Sequence, residues 1–257
     1  MREWLPAFLI TANFVFASWA YRRLPELSMP RWDLWIPWSL PSTVEPLPRM
    51  VAALGLPMVG MAIWVLLTVI ASPFGERLGR RVFPTWLVSE RTGAKGVERF
   101  SPTFDSIVVA IVTSIFLVHI GAVATILEWP TWTVRACLAG VGLVVIGVGN
   151  VMPRTRPNWI AGLRTKHAMR DPDLWRTTHR RFGALLMLTG GSVVAVAIFA
   201  TPYALLTGIV GGLVSAVVAT SSVQNDNQSG TDGRSSTPAV VMLLALVGWI
   251  KGITDSF

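Results

Sequence analysis

Ile107–Leu127 reads IVVAIVTSIFLVHIGAVATIL. The run holds no Asp, Glu, Lys or Arg, and a helix of about 20 apolar residues is what the hydrocarbon core of a bilayer requires. Working outward, five further runs qualify or nearly qualify: Trp4–Tyr21 and Val51–Ala71 before it, Trp132–Val151, Phe182–Thr201 and Tyr203–Val223 after it. The first ends at Arg22 and Arg23 with no small-residue cleavage site, so it reads as an anchor rather than a removable signal peptide. Arg135 lies close enough to the end of its run to snorkel. Only Pro202 and its neighbours separate the last two runs, which predicts a tight helical hairpin. Ala239–Ile250 is too short to span comfortably, and Trp249 and Lys251 beside it suit a helix at the membrane surface. The expected fold is an all-α integral membrane protein of about six transmembrane helices plus a short C-terminal apolar helix.

Composition agrees. Apolar residues make up 52% of the 257 and charged residues 14%, where a soluble domain carries about 25% charge. Mean hydropathy is +0.55. The formal net charge of +8 would suggest nucleic acid in a soluble domain. In a membrane protein, cytoplasmic loops rich in Lys and Arg give the same excess, so the lipid bilayer is the expected partner and no direct nucleic-acid partner is expected.

The basic residues set the expected orientation. The loop Ser72–Ser106 holds Arg77, Arg80, Arg81, Arg91, Lys95 and Arg99, and a second loop holds Arg154, Arg156, Arg164, Lys166, Arg170, Arg176, Arg180 and Arg181. The connection after the third run has only Glu128 and Arg135 at its margins, and the one after the fifth has no charge. Both basic loops are therefore assigned to the cytoplasm, and six spans put both termini there as well. The first loop, Arg22–Met50, then lies outside. It carries four Arg, partly offset by Glu26, Asp33 and Glu45, together with six Pro and three Trp. Proline blocks regular helix and Trp prefers the membrane surface. The loop reads as an extended segment on the outer leaflet or as a docking surface for an external ligand or peptide. The chain divides into an N-terminal two-span unit (1–71), a cytoplasmic basic loop (72–106), a four-span unit (107–223) containing the basic loop 152–181, and a flexible connector with the short apolar helix (224–257).

Few residues suggest chemistry. Cys137 lies inside an apolar run and reads as a small buried hydrophobe. His119 is an ionisable group within a span, which makes it a functional candidate by default. A neutral His bonded to a Ser, a Thr or a backbone carbonyl across a helix interface would also account for it. His167 and His179 flank Asp171 and Asp173, but neither HExxH nor a Cys pair is present, so neither a metal nor a cofactor is expected. No GxSxG, Walker loop or dinucleotide glycine fingerprint stands where it should. Gly140, Gly142, Gly147 and Gly149, then Gly190 and Gly191, then Gly208, Gly211 and Gly212 read as sites of close helix approach.

The second basic loop is the densest stretch: GNVMPRTRPNWIAGLRTKHAMRDPDLWRTTHRRFG, Gly149–Gly183. Asn150 stands where the fourth span should leave the membrane. Pro153 and Pro157 stop the helix, Arg154 and Arg156 can reach lipid phosphates, and Asn158 can close a turn through its side chain. Asp171 reads as an N-cap with Pro172 at the first helical position, opening a helix that carries Leu174, Trp175, Thr178 and Phe182 into the fifth span.

These residues resemble the signature of the SdpI family of bacterial multi-span membrane proteins: Gly149-Asn150-x-Met152-Pro153, then Arg156-Pro157-Asn158, Gly162-x-Arg164-Thr165, and Trp175-Arg176-x-Thr178-His179. The N-terminal part is similar, more loosely, to the membrane domain that opens many of these proteins, through Leu24-Pro25 and Met29-Pro30. Two departures stand out. Lys166-His167 replaces the family's Pro-Trp after Arg-Thr, and Arg31-Trp32-Asp33 stands where a His-Trp-Asn-like element is usual.

The resemblance implies an immunity-type role: protection against, or sensing of, a secreted antimicrobial peptide toxin on the outer side, with a cytoplasmic regulator as a possible second partner. On this reading the protein is not an enzyme. Asn150, Pro153, Asn158, Gly162, Arg164, Thr165, Trp175, Arg176 and His179 are the candidate contact and loop-ordering residues, and His119 is the intramembrane candidate. Two other readings remain. One is an enzyme at the cytoplasmic interface, with His179 as general base and Arg154, Arg156 and Arg164 clamping a lipid phosphate. It requires a carboxylate or second His converging on His179. The other is a small transporter, to which only His119 and Pro57 point.

Overall fold

The computed structural model describes residues 4–28, 46–85, 87–88, 94–158, 160 and 166–199, with side chains at all of these except 94–102, 166–167 and 199. The predicted span Tyr203–Val223, the connector 224–237, the apolar run Ala239–Ile250 and most of the Pro/Trp-rich first loop lie outside the described residues. In chain order the elements are α1 (Trp4–Tyr21), a strand pair β1 (Leu27–Ser28) and β2 (Leu47–Pro48), α2 (Arg49–Ala71), α3 (Pro73–Val82), α4 (Ala94–Ile126), α5 (Thr131–Val151), a 3-10 turn (Met152–Arg154), α6 (Lys166–Arg170) and α7 (Pro172–Phe199). Five of them, α1, α2, α4, α5 and α7, are long and apolar enough to cross a membrane. In hydrocarbon every backbone N–H must find its acceptor within the segment, which leaves helix as the solution for such runs.

Proline marks where the helices begin. Pro73 and Pro172 occupy first helical positions, and Pro48 and Pro130 stand immediately before α2 and α5. A missing N–H costs nothing there, because the first four N–H groups of a helix have no intrahelical partner. α4 ends in a Schellman turn: Trp129 N–H donates to the Ala124 carbonyl (2.9 Å) and Glu128 N–H to that of Thr125 (3.4 Å). Glu128 holds the left-handed position usually given to glycine, at φ 53°, and the chain reverses into α5 within a few residues.

The helices pack as a chain of neighbours: α7 on α5, α5 on α4, and α4 on both α1 and α2, which also touch each other. The buried stripe of α1 is Pro6, Ile10, Asn13, Ala17 and Ala20, the three-and-four spacing of one helix face. At one end of the bundle Ala20 and Leu24 pack with Ala53 and Val123, and Trp19 meets Trp129 edge-on, 5.7 Å between ring centroids. At the other end Val88 packs with Ile70, Ala71, Leu87 and Ile160, and Leu87 also joins Ala168, Met169, Leu174 and Trp175. The two Arg-rich loops therefore share one end and fold against each other, as alternating spans require.

At the tryptophan end, two of the four arginines that weigh against the expected orientation, Arg23 and Arg49, lie against aromatic rings. The Arg23 guanidinium lies 4.2 Å from the Trp19 ring centroid and that of Arg49 5.5 Å from Tyr21. Such contacts are attractive and partly replace water around the cation. Leu27 pairs with Pro48 and Ser28 with Leu47, and Arg49 N–H donates to the Glu26 carbonyl (2.9 Å). These bonds tie the two ends of the first loop together.

The main chains of α5 and α7 approach each other closely. A Cβ added to Gly149 would stand 2.6 Å from the Gly183 carbonyl oxygen, and one on Gly183 2.5 Å from that of Gly149. Two turns away the pattern repeats: Gly142 would meet the Gly190 carbonyl at 2.8 Å and Gly190 that of Gly142 at 2.5 Å. The main chains touch, with no room for any side chain between them. Of the glycines expected to mediate such contacts, Gly140 would meet Leu117 (2.9 Å), whereas Gly147 and Gly191 meet nothing within 4 Å among the described residues. Gly183 joins the set unannounced.

The structure departs from expectation in its polar parts. α4 begins at Ala94, well before the apolar run Ile107–Leu127, whereas α7 begins at Pro172 behind the Asp171 cap, as the sequence leads one to expect. The interval 72–106, read as a loop, contains α3 and the first turns of α4. Those turns are polar and charged, so a search for unbroken apolar residues passes over them.

Replacing Gly149 or Gly183 with Ala is expected to lower stability by about 1–3 kcal/mol, the cost of overpacking. Gly147→Ala should change it by less than about 0.5 kcal/mol. Unfolding of the purified protein in mixed micelles gives the comparison.

Candidate functional site

The site is built on the α5–α7 contact, where the chain leaves α5 and returns as α7. Pro153, in the 3-10 turn, packs against Gly183: a Cβ there would lie 3.1 Å from Pro153 Cδ. Thr155 Oγ1 donates to the Met152 carbonyl (2.7 Å) and ends that turn. Trp175 Nε1–H reaches the Thr155 carbonyl at 3.1 Å and its Oγ1 at 3.3 Å. This is the buried Trp indole's need for an acceptor, met from twenty residues away. Trp175 is 1% exposed and is surrounded by Ala168, Met169, Leu87 and Leu174. It faces the loop and the bundle, not the bilayer.

His179 lies one turn further along α7. Its ring stacks on Trp175, 3.9 Å between centroids and 19° from parallel, and Nδ1–H donates to the Trp175 carbonyl at 2.9 Å. Asn158 closes the loop from its own side: Nδ2–H donates to the Arg156 carbonyl (2.8 Å), and Oδ1 accepts from Ile160 N–H (3.0 Å). Asp171 caps α7, its Oδ1 accepting from the N–H groups of Asp173 (2.9 Å) and Leu174 (3.3 Å). Asn158, Thr178 and His179 are all buried.

The sequence candidates thus separate into groups. Trp175 and His179 form one stacked unit, and Asn158 and Pro153 order the turn that leads to it. Asn150, on the last turn of α5, and Arg176 are exposed. Gly162, Arg164 and Thr165 lie outside the described residues. Thr155 belongs to the site but was not foreseen, because nothing local in Arg154-Thr155-Arg156 signals a partner so far along the chain. The acid that a catalytic His179 would require is not supplied by Asp171, which is exposed and committed to the helix start. Among the described residues, no three His, Cys, Asp or Glu side chains gather closely enough to hold a metal ion. A cleft of about 280 Å³ between α4 and α5, lined by Ser106, Ala110, Thr113, Val144, Gly147 and Val151, is apolar and separate from the elbow.

His119 forms a second polar node. It is fully buried, and its Nδ1–H donates to Asn13 Oδ1 of α1 at 2.6 Å. Phe16 packs edge-on against the ring at 5.3 Å. The partner is a side-chain amide, not the Ser, Thr or carbonyl anticipated. Nε2 makes no well-formed hydrogen bond and lies against the main chain of Ala53 in α2. Pro57, four residues on, has no N–H to offer the Ala53 carbonyl.

Among the described residues, five apolar spans with both Arg-rich loops at one end define a multi-pass α-helical membrane protein. Residues 154–224 match the model of the SdpI/YfhL protein family, so the elbow from Arg154 onward and the helix it leads into are similar to that family. No curated protein and no solved structure matches the chain.

Two predictions follow from the nodes. Trp175→Phe, which keeps the ring stack but removes the indole donor, is expected to cost about 1 kcal/mol; Trp175→Ala should cost about 3–5 kcal/mol. His119→Leu is expected to destabilise by about 1–2 kcal/mol by leaving the Asn13 amide unpaired, and adding Asn13→Leu should recover part of the loss. A double-mutant cycle on unfolding in micelles reads the coupling directly.

Proposed function

We propose that this protein is a non-catalytic, immunity-type membrane protein that protects its cell from a secreted antimicrobial peptide, or senses one. The match of residues 154–224 to the SdpI/YfhL family carries the proposal, because it falls on the segment that folds as the buried elbow. A non-catalytic role is supported by how the polar groups are used. Asn158 and His179 bond main-chain groups near them, and Asp171 serves as a cap.

In this reading the Arg-rich end faces the cytoplasm, as the distribution of basic residues favours, and the N-terminus lies on that side. The loop Arg22–Met50 meets the peptide outside. The elbow, ringed by the exposed Arg154, Arg156, Arg176, Arg180 and Arg181, is the surface offered to a cytoplasmic regulator. The two sides are mechanically connected through α4, which holds His119 against α1 and packs along α5.

The test is expression of the full chain in a sensitive host challenged with a panel of antimicrobial peptides. Survival above that of the empty vector is expected for at least one peptide, and no protection across the panel overturns the proposal. His179→Gln separates binding from catalysis. Protection by this variant should fall only in proportion to its level in the membrane. Loss of at least a hundredfold at normal membrane level would favour the lipid-enzyme reading instead.

A further inference from the structure

We infer that α3 is an interfacial helix that seats this end of the protein on anionic phospholipid headgroups. α3 does not continue α2. Ser72 breaks the helix in an extended conformation, and its Oγ accepts from Gly75 N–H at 3.3 Å to start the new one. Gly75 and Gly79 are buried, and a Cβ on Gly75 would collide with the main chain of Val69 and Ile70. The new helix therefore turns back hard against the end of α2, on its glycine side.

What the other sides carry identifies the surroundings. At 100° per residue, Phe74, Leu78 and Val82 fall within an arc of about 80°. All three are exposed, at 59%, 53% and 66%, although this is the polar end of the bundle. Arg81 and Arg77 come next around the helix, both exposed. Glu76 and Arg80 occupy the side opposite the apolar arc, paired at 2.6 Å. One flank is docked on protein, one is apolar and uncovered, the next is cationic, and the last carries an ion pair whose Arg80 is exposed and whose Glu76 is largely covered.

That sequence of faces matches the headgroup layer, where an apolar side enters the acyl boundary and flanking arginines reach phosphates. Charge complementarity selects anionic lipid. Arg154, Arg156, Arg176, Arg180 and Arg181 are also exposed at this end, and among the described residues no ion pair neutralises them or Arg77 and Arg81. The inference does not depend on the immunity role. It uses the cytoplasmic assignment only to say which leaflet is involved.

The experiment uses the full chain carrying Cys137→Ser in nanodiscs, with a spin label at Leu78→Cys or, for comparison, at Arg80→Cys. The label at 78 should be accessible to oxygen and shielded from a water-soluble relaxant; the label at 80 should show the reverse. A fluorescent phosphatidylglycerol should bind in preference to the matching phosphatidylcholine, and Arg77→Gln and Arg81→Gln should each weaken that preference roughly five-fold. Glu76→Gln should not weaken it. Equal water access at 78 and 80, or an unchanged preference in the double arginine variant, overturns the inference. If an impermeant thiol reagent instead reaches Arg80→Cys from outside intact cells, the cytoplasmic assignment fails while the lipid seat stands.

Discussion

The main-chain contact between α5 and α7 is the constraint on which the rest of the candidate site depends. Glycine at 142, 149, 183 and 190 lets two helix backbones approach until carbonyl oxygens lie where side chains would otherwise be. In lipid there is little hydrophobic gain from burying one apolar surface against another, so helix association relies on close packing and hydrogen bonds. Seven-residue spacing keeps both pairs on one seam of each helix. The chain leaves that seam at Val151 and rejoins it at Gly183, so the 31 intervening residues must fold over the end of a pair whose separation is already fixed. The Pro153 ring fills the space beside Gly183, and Trp175 then lies within reach of Thr155.

The elbow gains its definition from hydrogen bonds between its side chains and the main chain. A tryptophan buried at the end of a bundle must place its N–H somewhere, and the end of a 3-10 turn provides both a carbonyl and a hydroxyl. His179 returns its proton to its own helix while its face covers the indole. The aromatic pair is buried, while Arg176 and Arg180 beside it on α7 are exposed. A site organised in this way presents a shape and a charge pattern to whatever approaches.

Much of the fold could be read from residue order, because span length and the absence of charge are direct consequences of bilayer thickness. The starts and ends of α1, α2 and α5 follow almost to the residue. The N-cap at Asp171 and the turn at Asn158 were also legible, since both are local chemistry between residues two or three apart. What escaped was nonlocal or small. Thr155 carries no signal that Trp175 needs it, and Asn13 resembles any polar residue in an apolar run until α4 brings His119 beside it. Gly183, at the margin of a basic segment, has the composition of a loop residue and the role of a packing one. α3 was hidden for a different reason: its ten residues are too charged to register as a span, and its apolar positions recur only every four.

The Asn13–His119 bond also bears on how separable the two halves of the chain are. Each side chain is acceptable inside the membrane because the other answers it across the boundary between α1 and α4. Deprived of α1, the imidazole would face acyl chains bare. Cutting away the leading pair of helices would therefore strand a buried ring nitrogen in the bundle that remains.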